Sequence, residues 1–229
     1  MVTPASIARK VRAGWSLMRK GQFSSLLRAA TSKVVRIEEH RIDRIDLSSY
    51  RLKVRPEDRI KWLRCEIATE AQMERLFTDW RDSAEEFHRH YRVYFDLGFR
   101  RCFLFIDDST NKVAHFQFLL DYSDGERIKQ VLPWPIYRRY IRPDAAWQEW
   151  VYTFSDYRRR GVSLLATSHI IEYCSDHGVK TLYSRRGAEN QASVRMADRL
   201  GYVRIARVYH VQVLRQSGTQ GYYLVQPTI

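Results

Sequence analysis

The sequence predicts a mixed α/β fold of the α+β kind, a central sheet with helices against it, and three observations carry that expectation. From Trp147 onward, strand-like apolar runs alternate with stretches of helical periodicity, the pattern of strand–helix–strand units. Ahead of them, two β-rich runs flank a turn sequence and read as a hairpin. The 229 residues, 45% hydrophobic and 28% charged, suffice for one unstapled core. They hold no apolar run near the ~20 residues a membrane-spanning helix needs.

Taken in order, Arg41 to Leu47 alternates Ile42, Ile45 and Leu47 with Asp43, Arg44 and Asp46, as a short strand does. Ser48, Ser49 and Pro56 mark a connection. Lys61 to Ala68 reads as a strand, and Thr69 as the N-cap of a helix through Met73, Leu76, Phe77 and Trp80. A second helix is expected over Ser83 to Leu97, with Glu85 and Glu86 at its positive end and Gly98 closing it. Arg101–Ile106 and Val113–Leu120 form the hairpin strands around the turn residues 107–112. From Asp121 to Asp144 the chain is polar and contains prolines, with Trp134, Tyr137 and Tyr140 among basic residues. These rings either line a substrate cleft or pack locally.

The next segments are more regular. Trp147–Phe154 is a strand, Gly161 precedes a helix bearing Leu164, Leu165, Ile170 and Ile171, and Gly178 ends it. Val179–Ser184 is a short strand. Glu189 and Asn190 open a helix through Val194, Met196, Ala197 and Leu200 that stops at Gly201. Val203–Leu214 and Tyr222–Val225 complete the strands.

Charge sorts the function classes. With 39 Lys and Arg against 26 Asp and Glu, the net charge is +13, yet residues 1–35 contain no acid at all. There Ile7, Val11, Trp15 and Met18 recur at helical spacing, while Arg9, Arg12, Arg19 and Lys20 fall mostly on other faces. The segment is therefore read as a basic amphipathic helical extension, 1–35, ahead of a domain spanning 36–229. Such a helix suits an anionic membrane surface or an acidic acyl carrier protein, and equally an ordinary packed helix with a solvated back. A secretory signal is not expected, since a continuous apolar region is lacking. Cys65, Cys102 and Cys174 are odd in number and far apart, so neither a disulfide framework nor a metal site is expected, and the reducing cytoplasm is the expected compartment.

The chemistry concentrates after Trp147. A strand that feeds a glycine-containing turn at a helix start makes an anion site, because the first backbone N–H groups of the helix lack partners and its dipole favours negative charge. Gly161 permits close approach, and Arg158, Arg159 and Arg160 add positive charge. A pyrophosphate can be held there.

Two motifs in this region resemble the GNAT superfamily of acyl-CoA-dependent N-acyltransferases. The acyl-CoA signature is a Gln or Arg, two residues, Gly, one residue, then Gly or Ala. It stands here as Arg158-Arg159-Arg160-Gly161-Val162-Ser163, with Ser163 in the last place. The second signature is an Asn opening a helix that ends eleven and twelve residues later in Gly and an aromatic. Asn190, Gly201 and Tyr202 keep that spacing, with Ser193, Met196 and Arg199 where Ala or Ser, Leu, and Lys or Arg are usual. The likeness covers Lys61 to the C-terminus.

The resemblance implies a mixed, splayed sheet that opens between the strands ending near Phe154 and Ser184. Acetyl-CoA or another acyl-CoA would be the cosubstrate, with no metal. Backbone of Tyr152, Thr153 and Phe154 would line the pantetheine arm, and N–H groups around Arg159, Arg160, Gly161, Val162, Ser163 and Leu164 would hold the pyrophosphate, beside Arg158. Asn190 would contact the pantetheine, and it also suits a plain N-cap.

Direct acyl transfer needs a neutral amine, and most amines are ammonium at neutral pH. Glu149, on the strand before the turn with Trp147 and Trp150 beside it to desolvate it, is the candidate base. A carboxylate paired with an arginine is the plainer reading of the same residue. Many relatives place a Tyr seven residues after the Asn to protonate the leaving thiolate. Here that position is Ala197, so either another group such as Tyr202, Tyr183 or Ser184 serves, the thiolate leaves unaided, or activity is lost. Cys174 is not read as a nucleophile.

The function expected is N-acetyl transfer to a small-molecule primary amine, such as an amino sugar or amino acid near the membrane. Long-chain acyl transfer from acyl-CoA or an acyl carrier protein is one alternative. A non-catalytic module that binds coenzyme A or nucleic acid is the other, though nucleic acid is not the expected partner.

Overall fold

A computed structural model describes residues 35–51, 61–82, 85–132, 134–215 and 218–227. Among them the elements run β1 (Val35–Asp46), β2 (Leu63–Ile67), α1 (Glu70–Thr78), α2 (Glu85–Asp96), β3 (Cys102–Asp107), β4 (Lys112–Asp121), α3 (Gly125–Val131), α4 (Trp134–Tyr137), β5 (Ala145–Thr153), α5 (Val162–Asp176), β6 (Thr181–Gly187), α6 (Gln191–Leu200), β7 (Val203–Arg215) and β8 (Gly218–Pro227). The strand order is β2-β3-β4-β5-β6-β1-β7-β8. Neighbours from β2 through β5 are antiparallel, β5 and β6 are parallel, and β6 and β1 antiparallel. A parallel pair needs a crossover, which α5 supplies.

The larger compact unit holds residues 39–208 and the chain from Val225. The smaller one includes, among the described residues, 35–38, 209–215 and 218–224. Within it the His210 and Tyr223 rings stack at 4.4 Å, and His210 Nδ1 lies 3.6 Å from Glu38 Oε2. The basic extension read over 1–35 lies, Val35 apart, outside the described residues.

Alternation along the strands of the larger unit builds two apolar layers. Leu104, Phe116, Phe118, Leu120, Trp147 and Tyr152 point to one face, where Met73, Leu76 and Phe77 of α1, Tyr91, Tyr94 and Phe95 of α2, Ile128 of α3 and Tyr137 of α4 cover them. Phe103, Phe105, Leu119, Ala146 and Leu182 point to the other, beneath Ala166, Ile170 and Ile171 of α5 and Ala197 and Leu200 of α6. Fully buried side chains such as Trp147 and Phe118 each contribute roughly 1.5–3 kcal/mol.

Local signals set most boundaries. Thr69 caps α1 in a capping box: its hydroxyl accepts from the Gln72 N–H at 3.3 Å, and Gln72 Oε1 accepts from the Thr69 N–H at 2.8 Å. The polar, proline-containing stretch 121–144, to which the sequence assigns no element, carries α3 and α4, which bring Tyr137 and Tyr140 inward. β6 runs on to Gly187 because its pairing with β1 persists to His40–Gly187.

β5 contains the one irregularity that matters for the site. Phe118 pairs with Glu149 and Phe116 with Tyr152, so Trp150 and Val151 together oppose Gln117. This is a β-bulge, and Trp150 takes φ +48°, a left-handed conformation costly for a bulky residue. The Tyr91 hydroxyl donates to the Trp150 carbonyl at 3.0 Å and helps hold the bend. Strain of this kind collects at functional sites.

Candidate active site

β5 and β6 pair only through Ala145–Thr181, Ala146–Leu182, Trp147–Tyr183 and Gln148–Ser184. Beyond that point β5 stays with β4 as far as Thr153, and β6 stays with β1 as far as Gly187. Each strand keeps its outer neighbour and loses its inner one, so a wedge opens at Glu149 on one side and Arg185 on the other. The bulge lies one residue past this opening. Backbone N–H and C=O groups along a parted edge seek partners, and an extended chain bearing amides can supply them.

At the far end of β5 the chain turns through a 3-10 segment, Ser155–Tyr157, into Arg158–Gly161 and α5. Gly161 is the N-cap of α5, with φ +78° and no side chain capping the helix. A Cβ placed on Gly161 would meet nothing within 4 Å, so the approach to this end is open. Arg159, at φ +63°, and Arg160 are exposed beside it. The open helix start, the absent side chain and the two guanidiniums fit a diphosphate. Ser163 turns its hydroxyl to Met196 Sδ at 3.2 Å, joining α5 to α6, and Val162 is buried. Leu164 packs against the layer beneath α5.

The turn is held by a residue that the sequence did not single out. Asp82 accepts from the Tyr152 hydroxyl at 2.5 Å, from the Ser155 hydroxyl at 2.7 Å and N–H at 3.1 Å, and from Arg158 Nη2 at 3.2 Å. Burial alone would raise its carboxyl, but these hydrogen bonds and the Arg158 charge outweigh burial and hold it below the usual carboxylate range. Burial and Asp82 together push the Tyr152 phenol up to about 12. Arg158 also donates to the Thr153 carbonyl at 3.0 Å and to the Tyr152 hydroxyl at 3.1 Å. Its guanidinium is thus a clamp on the turn, in contrast to the open flank formed by Arg159 and Arg160. A second anchor is Asp107, which accepts from the Tyr157 hydroxyl at 3.0 Å.

Part of the backbone expected to meet a pantetheine is engaged within the chain. The Thr153 carbonyl takes Arg158, the Phe154 N–H donates to the Ala114 carbonyl at 3.1 Å, and the Phe154 carbonyl accepts from the Tyr157 N–H at 3.0 Å. The parted edge therefore centres on 149–152, ahead of Phe154. Across the wedge, Asn190 caps α6: its Oδ1 accepts from the Ser193 N–H at 3.1 Å. That leaves the –NH2 end of the amide for any ligand contact.

Glu149 is 6% exposed and lies on the face of α2 and α4. Trp147 Nε1 donates to its Oε2 at 2.5 Å, and Arg185 Nη2 to its Oε1 at 3.3 Å. Rings enclose the pair: Tyr137 packs edge-on to Trp147 at 4.6 Å, Tyr183 lies 6.0 Å from Trp147, and Tyr140 lies 5.1 Å from Tyr183. So Tyr137 and Tyr140, from a segment without legible periodicity, pack around the indole that holds the carboxylate. A buried carboxylate fixed by an indole and facing a parted strand edge can take a proton from an amine presented there.

Tyr202 does not join this group. Its hydroxyl donates to Gln148 Oε1 at 3.1 Å in the layer beneath α5 and α6, on the face opposite Glu149. Gln148 Nε2 in turn donates to Gln117 Oε1 and to Thr167 Oγ1, and Gln117 Nε2 to the Ala166 carbonyl at 3.1 Å. Burial raises the Tyr202 phenol above its usual range despite the opposing charge of Arg186, which makes it a poorer proton donor. Alternation puts consecutive β5 residues on opposite faces, and Tyr202 follows Gln148 rather than Glu149. The Tyr202 hydroxyl, a candidate for protonating the thiolate, is thus engaged with Gln148 on the face opposite Glu149. Ala197, where relatives carry a Tyr, is fully buried in the same layer, and burial pushes the Cys174 thiol up to about 12.

Among the described residues, no group of three or more His, Cys, Asp or Glu could hold a metal ion, and no helix is long and apolar enough to cross a membrane.

A sequence model described as the Acetyltransferase (GNAT) family matches residues 66–202, more than half of the chain. No curated protein matches it. Among solved structures it is similar to the GCN5-related glucosamine N-acetyltransferase region of a fungal multi-domain GH3 beta-N-acetylglucosaminidase, at 14% identity and TM-score 0.63 over 90% of this chain and 23% of that one. It is also similar to a GCN5-related N-acetyltransferase from Sphaerobacter thermophilus, at 14% identity and TM-score 0.56 over 84% of this chain and 57% of that one. A functionally unknown conserved protein from Staphylococcus epidermidis matches at 10% identity and TM-score 0.55, over 92% of this chain and 81% of that one. The chain spans less than two thirds of the first two structures. At such identities the likeness is one of fold.

Proposed function

The chain belongs to the acetyltransferase (GNAT) family, and from that premise we propose that it moves an acetyl group from acetyl-CoA directly to the primary amine of a small molecule. The observation that carries this reading is the wedge between β5 and β6, with a buried carboxylate at its mouth and an uncapped, glycine-led helix at its end.

In this reading the N–H groups that start α5, flanked by Arg159 and Arg160, bind the diphosphate. The parted edge of β5 aligns the pantetheine, opposite the Asn190 amide. Glu149 takes the proton that the incoming ammonium must lose, directly or through water. The amine nitrogen then attacks the thioester carbonyl; the C–N bond forms, the C–S bond breaks with its electron pair leaving on sulfur, and the extra proton on the new amide nitrogen is lost to water. A coenzyme A thiolate is a stable enough leaving group to depart and take its proton from water. The amino acids and amino sugars remain the acceptor classes. The fungal neighbour's name, a glucosamine N-acetyltransferase region, supports the second by fold alone. The same reading places the enzyme in the cytoplasm, with the basic segment 1–35 available to an anionic membrane or an acyl carrier protein.

Calorimetric titration with acetyl-CoA, followed by a free-thiol assay across amine acceptors, tests the proposal. Acetyl-CoA uptake with amine-dependent thiol release supports it. Uptake without release for any amine leaves a coenzyme A-binding module, release only with long-chain acyl donors makes it a long-chain acyltransferase, and no uptake removes the reading.

A further inference from the structure

Glu149 and Arg185 are the first residues past the last paired positions, Gln148 and Ser184, on two strands that part there. They carry opposite charges, face each other at 3.3 Å, and share one aromatic enclosure, with Arg185 Cζ 5.9 Å from the Tyr137 ring. Arg185 is the outer of the two, its side chain 21% exposed against 6% for Glu149. An incoming molecule meets the cation first.

That arrangement sets a condition on the acceptor. A guanidinium beside the carboxylate repels an approaching ammonium. An ammonium reaches Glu149 more readily where Arg185 has another anion to meet. A guanidinium's fork of donors matches a carboxylate in a bidentate manner. Because the two charges are adjacent, the molecule that answers both must carry its amine and its anion close together. An amino acid does so. An amino sugar without an anionic group leaves Arg185 on Glu149, and a sugar phosphate with its charges at opposite ends cannot reach both.

Resting on the transfer reading above, we infer that the acceptor is an amine with a carboxylate a few bonds away, an amino acid or close analogue, and that Arg185 binds this carboxylate and so releases Glu149.

The test compares matched probes, L-alanine against L-alaninamide with glucosamine and glucosamine 6-phosphate as further arms, in the wild type, Arg185→Gln and Arg185→Lys. Thiol release gives kcat and KM, and calorimetry on the coenzyme A-loaded protein gives affinity. In the wild type, kcat/KM favours alanine by about tenfold or more; Arg185→Gln collapses that ratio toward one, chiefly by raising KM for alanine, and Arg185→Lys restores part of it. Acetyl-CoA affinity and melting temperature retained in both variants show that they fold. Equal kcat/KM for alanine and alaninamide, a ratio indifferent to Arg185→Gln, or either sugar outpacing alanine overturns the inference while leaving acetyl transfer standing. Alanine binding that needs Arg185, without thiol release for any amine, keeps the carboxylate site and removes the transfer reading.

Discussion

Strand β5 presents two polar groups side by side, Gln148 and Glu149, and sends them to opposite faces of the sheet. On the α5 side, Gln148 meets Gln117, Thr167 and Tyr202, and Arg186, against the Tyr202 ring, is paired with buried Asp43. On the α2 and α4 side, Glu149 meets Trp147 and Arg185 within aromatic walls, at the point where the strands separate. A closed network of this kind holds the core in register and has little to offer a reacting molecule. A carboxylate and a guanidinium at a parted edge are costly to bury for stability alone. The contrast teaches that burial and hydrogen bonding do not by themselves mark a catalytic group. Charge facing an opening does.

Substitutions that cross this divide should differ in kind. Glu149→Gln keeps the shape and loses the base; amine-dependent thiol release should fall by roughly 10²–10⁴-fold while acetyl-CoA still titrates in a calorimeter. A rate unchanged at every pH removes Glu149 from the chemistry. Gly161→Ala puts a side chain where φ is +78°, a strain of about 1–2 kcal/mol, and should weaken acetyl-CoA binding about tenfold. Tyr202→Phe leaves Gln148 short of a donor and should lower unfolding free energy by about 1 kcal/mol in urea, with kcat/KM within a few-fold of wild type. Should Tyr202→Phe cost as much rate as Glu149→Gln, the division of faces fails.

The smallest effect belongs to a group remote from both faces. Hydrogen bonds from Ser109 and Tyr157 overcome burial and hold the Asp107 carboxyl at about 2. Its unfolded value is near 3.9, so its contribution is fully present above about pH 4 and is lost as pH falls toward 2. Melting temperatures taken from pH 5 to pH 2 should drop across that window, and Asp107→Asn should flatten part of the drop. Asp121, whose carboxyl is also held at about 2, and Asp82, held below the usual range, add to the drop.

Local chemistry made much of this readable in advance. The Thr69 cap, the hairpin, the glycine-led turn at Gly161 and the Asn190 cap are written in residues that sit next to their consequences. The residues missed share one trait, that their meaning comes from distant partners. Asp82 sits 70 residues before the Tyr152 it binds, and nothing around it marks a clamp. Arg185 is one of many arginines until sheet register sets it opposite Glu149. The Trp150 bend has no glycine or proline to announce it. Tyr202 shows the converse: its spacing from Asn190 fits the motif, while strand alternation turns its hydroxyl away from the carboxylate.

The separation of β5 from β6 also means that this sheet carries an exposed rim in its own interior. Outer rims are commonly blunted by lysines, prolines or short strands, but an inner one must stay bare to do its work. It is quiet only when filled. Preparations stripped of donor should aggregate sooner than loaded ones, and a donor at a hundred times its dissociation constant should add about 2.7 kcal/mol of apparent stability.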